Sequence, residues 1–412
     1  MKNSTRFQLS TMMFLEFFIW GGWFVTLGTF LGNNLEATQT QISTAFSTQS
    51  WGAIIAPFII GLIADRYFNA EKILAILHLI GAYLMYQMAY AEDFTTFYPY
   101  ILAYMIAYMP TLALVNSVSF NQMKDPAKEF SFIRVFGTVG WIVSGVAISY
   151  IFSWDSAEGI QEGMLRNTFL MTAAASAFLG IFSFFLPSTP PKAKTGEKPS
   201  LTEVLGLDAL KLLKSKNFLI FFLSSILISI PLAFYYQHLS PFLTDIGVGN
   251  STAKAALGQA SEVLFMLLIP FFLKRYGIKI TLLMGMIAWA VRYLLFAYGN
   301  ADELSFMLLI GIALHGVCYD FFFVSGQIYT DSKAGENFKS AAQGLITLAT
   351  YGVGMLIGFY VAGLVSDANM LSDGNQNWTG VWTFPAIFAF AVMVLFAIFF
   401  RNEKIEKKDI EI

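Results

Sequence analysis

The chain has 412 residues, of which 56% are hydrophobic, 17% aromatic and only 13% charged. That charged share is about half what a soluble domain carries. A net charge of −2 argues against a nucleic-acid-binding surface, and the single cysteine, Cys318, excludes an intrachain disulfide framework.

The apolar surplus falls in blocks of about 20 residues, long enough as helix to cross about 30 Å of hydrocarbon. The first block, 9–31, is too long for a signal-peptide core and no small-residue cleavage site follows it, so it reads as a retained helix. Blocks at 42–64, 73–91, 96–120, 130–153 and 167–186 complete a set of six. A second set follows at 217–244, 252–273, 279–299, 304–330, 338–366 and 377–400. These are continuous apolar runs and not alternating ten-residue strands, which argues against a β-barrel. The predicted fold is an all-α membrane protein with twelve transmembrane helices.

Between the two sets, 187–216 opens with Pro187-Ser-Thr-Pro-Pro191 and is rich in lysine. Ser200 and Glu203 form a capping-box signature ahead of Val204, Leu205, Leu210, Leu212 and Leu213. This predicts a cytoplasmic linker with one short amphipathic helix lying along the membrane face. The resulting division is a six-helix bundle at 1–186, the linker at 187–216, a second six-helix bundle at 217–400 and a cytoplasmic tail at 401–412. Of the 25 Lys and Arg, all but Arg134, Arg292, Arg166 and Lys254 fall at the termini or in and beside the even-numbered connections. The positive-inside rule then places both termini in the cytoplasm. The opposite face carries acids without bases, among them Glu92, Asp93, Asp302, Glu303, Asp367 and Asp373.

The two halves can be registered on each other. Aligning Arg66-Tyr67 with Arg275-Tyr276 places Gln343 opposite Arg134, each a few residues into the fifth helix of its half. Two parallel six-helix repeats are the architecture of major facilitator transporters. The stretch Gly61-Leu-Ile-Ala-Asp65-Arg66 resembles the first part of that superfamily's Gly-x-x-x-Asp-Arg signature. Gly61 would allow close helix packing, while Asp65 and Arg66 would hold the cytoplasmic side shut in one state. An ordinary cytoplasmic charge cluster is the plainer alternative.

A few charges sit deep in apolar segments: Glu16, Arg134, Glu262, Arg292 and Asp320. A charge at the centre of a bilayer costs about 2.5–3.5 kcal/mol on insertion scales, so such residues usually mark a substrate or proton pathway. Glu262 and Asp320 can accept hydroxyl hydrogen bonds and can carry a proton. Arg134 offers a fixed fork of donors and could pair with Glu16. Arg292 and His78 lie on helices expected at the periphery and suggest structural roles. His238 and His315 are better placed to modulate coupling.

Several stretches together resemble the nucleoside:proton symporter family of the major facilitator superfamily. They include Trp20-Gly-Gly-Trp23, Ala107-Tyr-Met-Pro-Thr111, Ile133-Arg134-x-x-Gly137-Thr138, Ser261-Glu262-x-x-Phe265, Ala288-Trp-x-x-Arg292 and Asp320-Phe-Phe with Ser325-Gly326. The resemblance runs in order from the first helix to the eleventh. It implies a carrier, not an enzyme, importing nucleosides with protons by alternating access. The implied substrate ligands are Arg134, Thr138, Trp141, Gln259, Glu262, His315, Tyr319 and Asp320. Asp320, Glu262 and Glu16 are the implied proton-coupling groups. The expected setting is a monomer in the inner membrane, with no cofactor, no metal and no nucleic-acid partner. There are departures: on the seventh helix Ala233 and Tyr236 stand where relatives place amides, and Glu16 stands where Gln is common. A different solute, such as a sugar or a modified nucleoside, or an uncoupled facilitator, stays open on that ground. A membrane enzyme built on His315 and Cys318 is the different-class alternative; no metal cluster, nucleophile elbow or phosphate loop accompanies them.

Overall fold

The computed structural model describes residues 2–59, 67–124, 126–191, 207–334 and 339–403. Among them the chain is helical, the only other pairing being an isolated bridge between Met370 and Gln376. It packs as two compact units, one formed by 1–200 with 249–256 and the other by 201–248 with 257–412. Nine helices of the described residues are long and apolar enough to cross a membrane.

The first unit contains α1 (Asn3–Phe24), α2 (Leu27–Asn34), α3 (Gln39–Ile59), α4 (Ala70–Ala89), α5 (Phe94–Asn121), α6 (Pro126–Val146), α7 (Ala157–Gln161) and α8 (Arg166–Ser183). The predicted block 9–31 is therefore two helices in sequence, parted at Val25 and Thr26, where the Thr26 hydroxyl donates to the Trp23 carbonyl at 3.1 Å. Helix α6 runs into a π-helical turn, Ala147–Ile151. Close crossings use glycine: a Cβ on Gly140 of α6 would come within 2.1 Å of the Phe14 carbonyl oxygen on α1. Small residues at such crossings let helix backbones approach where lipid supplies no hydrophobic drive.

The second unit contains α9 (Lys216–Asp245), α11 (Leu257–Tyr298), α12 (Ser305–Tyr319), α13 (Ser325–Ala334), α14 (Lys339–Thr347), α15 (Met355–Ala368) and α16 (Trp378–Phe399). The short α10 (Ser251–Ala255) between α9 and α11 belongs with the first unit: the Thr252 N–H donates to Asp155 Oδ2 at 2.9 Å and the Ala253 N–H to the Ser149 hydroxyl at 3.0 Å. The predicted helix 252–273 is thus interrupted at Ala256. Helix α11 covers two predicted helices and is broken inside by Gly277 at φ 76°, ψ 174°, a conformation open to glycine and strained for other residues. Two further π-helical turns, Asp320–Val324 and Leu348–Gly354, join α12 to α13 and α14 to α15.

Within the predicted linker the helix Leu207–Lys214 is of the 3-10 type, with Ala209 packed against Ala334, Ala342 and Leu345 of the second unit. Its capping residues Ser200 and Glu203 lie outside the described residues, as do the proposed gating residues Gly61, Asp65 and Arg66.

Candidate functional site

In the first unit, Arg134, Thr138 and Trp141 recur at the spacing that places them on one face of α6. Arg134 and Thr138 are half-buried and Trp141 is buried. The Arg134 guanidinium lies 4.2 Å above the Phe17 ring of α1, a cation–π distance. Gly137 leaves the room for this, since a Cβ there would meet Arg134 Nη1 and the Phe17 ring at 2.7 Å. Trp141 meets Trp20 edge to face at 5.7 Å, and Trp20 meets Tyr108 at 5.8 Å. These rings build an aromatic wall from α1, α5 and α6.

Behind that wall is Glu16, fully buried. One carboxylate oxygen accepts from the Thr111 hydroxyl at 2.6 Å and the other lies 2.8 Å from His78 Nε2. The Tyr108 hydroxyl donates to the Glu16 carbonyl at 2.7 Å. His78 Nδ1 is 3.1 Å from the Ser176 hydroxyl, which donates to the His78 carbonyl at 2.8 Å. The sequence suggested a structural role for His78; α4 delivers it directly to the acid.

In the second unit, Gln259 and Glu262 are three apart on α11 and half-buried. Helix α12 crosses close by: a Cβ on Gly316 would fall 2.6 Å from the Ser261 backbone carbon, and the Gly316 N–H donates to the Ser261 hydroxyl at 3.0 Å. This approach brings His315 Nε2 to 3.0 Å from Glu262 Oε1. The distance is that of an ion pair, but the N–H direction falls outside hydrogen-bond alignment. One turn on, the Tyr319 hydroxyl meets that of Tyr351 at 2.5 Å.

Asp320 opens the π-helical turn and is fully buried. Neither of its carboxylate oxygens has a hydrogen-bond partner; the Met266 N–H approaches without reaching hydrogen-bond geometry. A buried unpaired charge is costly, and a proton is the ligand that removes the cost. π-turns are frequent at functional sites because the wider turn redirects a side chain.

The sequence suggested a structural role for Arg292, and the structure gives it a partner in the site. It is buried and bonds through Nη1 to His315 Nδ1 at 2.8 Å, so it is linked to Glu262 through the imidazole. Its position mid-way along an apolar helix was a visible signal; its direction toward His315 was not. His238 is a packing residue, its Nε2 donating to the Ala362 carbonyl at 3.2 Å amid Phe234, Trp378 and Trp382. Tyr351, unmarked by any sequence motif, joins the site through Tyr319.

The family model of the nucleoside H+ symporter matches residues 3–405. The chain belongs to the nucleoside H+ symporter family. It is 45% identical to YegT of Escherichia coli (strain K12), a protein named as a candidate nucleoside transporter, over 98% of each chain. It is 34% identical to the xanthosine permease of the same organism, over 97% of this chain and 96% of that one. The crystal structure of nucleoside transporter NupG superposes with a TM-score of 0.85 at 31% identity, covering 98% of this chain and 100% of that one. The POT family transporter PepTSo, at 15% identity and a TM-score of 0.75 over 97% of this chain and 98% of that one, shares the fold. Family and relatives are permeases, so the enzyme alternative built on His315 and Cys318 falls away. As a family member this protein is a multi-pass membrane transporter.

Proposed function

We propose that this nucleoside H+ symporter imports nucleosides by alternating access and that Asp320 is the residue that binds the coupling proton. The observation that carries the assignment is the burial of both Asp320 oxygens without a partner, in the middle of the span Ser305–Ala334. The nucleoside ligands are Arg134, Thr138, Trp141, Gln259, Glu262, His315 and Tyr319, a role supported by the family stretches in which they lie. The aromatic wall supplies a stacking face for a base, and Glu262 an acceptor for ribose hydroxyls. Glu16 is a further proton site on the same grounds of burial. Gly61, Asp65 and Arg66 form a cytoplasmic gate, a role supported by their motif. The chain crosses the inner membrane as twelve helices in two repeats and works as a monomer with both termini in the cytoplasm, a layout supported by its lysine and arginine distribution.

The test is uptake of uridine, adenosine and inosine into liposomes holding the purified protein, with the outside acidified. Accumulation above the external concentration is the expected result. No accumulation of any nucleoside, with another solute concentrated instead, overturns the substrate assignment. One observation favours a second reading, a modified nucleoside: α9 offers buried Ala233 and half-buried Tyr236 where the family resemblance expects amides. Competition over a nucleoside panel separates the two.

A further inference from the structure

Arg292 is fully buried, and among the described residues no carboxylate pairs with it. Its guanidinium lies 3.7 Å above the Tyr235 ring, and Nη1 reaches His315 Nδ1 at 2.8 Å. A guanidinium only donates and keeps its charge at any physiological pH. Nδ1 of His315 must therefore present its lone pair. A neutral imidazole that accepts at Nδ1 carries its proton on Nε2, and Nε2 is the atom 3.0 Å from Glu262 Oε1. The ring plane is held as well as the tautomer: Tyr235 stacks on His315 with centroids 4.8 Å apart and planes 22° apart. Gly258 leaves room for that stack, since a Cβ there would meet the Tyr235 hydroxyl at 3.1 Å and His315 Cβ at 3.2 Å.

We propose that Arg292 is a positioning residue which holds His315 as the neutral Nε2–H tautomer and thereby keeps Glu262 available as the acceptor for nucleoside hydroxyls. The inference rests on the assignment of Glu262 to the substrate. A second proton on His315 would lie on Nδ1, directed at a cation 2.8 Å away. The other titratable groups at the ring are Tyr235 on α9, Glu262 on α11 and Tyr319 on α12, while Tyr293 and Cys318 lie around Arg292. The acid at the ring is Glu262, and Asp320 interacts with Glu262. Glu262 has an imidazole nitrogen at 3.0 Å and, at one remove, a cation; neither oxygen of Asp320 has a hydrogen-bond partner. The two carboxylates therefore divide the work, Glu262 holding substrate and Asp320 the proton.

The chain has three histidines, so nitrogen NMR of full-length protein with isotope-labelled histidine resolves each imidazole, and His315→Gln assigns its signal. The expected wild-type result is an Nε2–H tautomer at His315 that does not titrate across roughly pH 5 to 8. In Arg292→Gln the signal shifts to a mixed or titrating form. Uridine then binds about tenfold or more weakly, with a new pH dependence, as befits loss of a charge-assisted hydrogen bond. Arg292→Lys, which keeps a donor, restores the tautomer. An Nδ1–H tautomer in the wild type overturns the proposal, as does Arg292→Gln with unchanged tautomer and affinity. If Arg292→Gln does not fold, the wild-type tautomer decides alone. Failure of the nucleoside assignment would appear separately, as wild-type protein that binds no nucleoside.

Discussion

Replacing Asp320 by Asn tests the proposed coupling directly. The amide keeps the size of the side chain and the π-helical turn but cannot take up a proton. Asp320 is fully buried, its oxygens have no partner, and it sits at the middle of its span. Carrying an unpaired charge there costs about 2.5–3.5 kcal/mol. At about 1.4 kcal/mol per tenfold, that is about a hundredfold preference for changing faces with the proton aboard. In the Asn variant the preference vanishes, because the side chain is neutral with or without a pH gradient. The assay is purified protein in liposomes, read as the internal-to-external nucleoside ratio under an acid-outside gradient. One-proton symport by the wild type raises the ratio by up to about tenfold per pH unit. Asp320→Asn should bring the ratio only to unity while exchanging labelled for unlabelled nucleoside at near wild-type speed, which shows that it is folded and binds. An Asn variant that still concentrates nucleoside in response to the gradient would refute the reasoning.

Glu16→Gln should fold normally, because an amide can accept from Thr111 and donate to His78 Nε2. Glu16→Leu should lose about 1–3 kcal/mol through the buried groups left unpaired; thermal unfolding in detergent compares them, and equal midpoints would count against the network. Tyr319→Phe and Tyr351→Phe should each cost about 0.5–1.5 kcal/mol of stability and the double variant little more than either, since both break one hydroxyl pair; additive losses in denaturation would mean the hydroxyls act separately. At the second unit's end, burial pushes the Glu403 carboxyl up, but hydrogen bonds from Lys333 and Tyr329 and the Lys333 charge outweigh it and leave Glu403 below its ordinary value of 4.5. A depressed folded value stabilises the tail contact above about pH 4.5, and the contribution is lost as pH falls through the folded value. Limited proteolysis should therefore cut the tail faster in acid; Lys333→Ala should show fast cutting already at neutral pH, and cutting at equal rates in all these conditions would reject the contact.

The residues differ in how far the sequence could place them. Glu262 and Asp320 stood out because a carboxylate in an apolar run is expensive, and that cost is local. Gly277 breaks a helix for an equally local reason, its freedom at positive φ. Arg292 was just as conspicuous, yet its role depends on whether its helix turns it toward lipid, an acid or His315. Glu16 and His78 are separated along the chain and meet only because α1, α4, α5 and α8 pack around them. Tyr351 carries no motif and enters through a single hydroxyl contact.

Composition, block length and the distribution of basic residues settled by themselves that the chain is helical and built for a bilayer, because the solvent acts on every residue of a span at once. Ordered family stretches carried the functional class. What tertiary structure alone decided is pairing: which imidazole meets which acid, which cation fixes which tautomer, and which carboxylate is left with no donor. Those outcomes follow from helix rotation and from close crossings at Gly137, Gly258 and Gly316, where tenths of an ångström decide whether two polar groups touch.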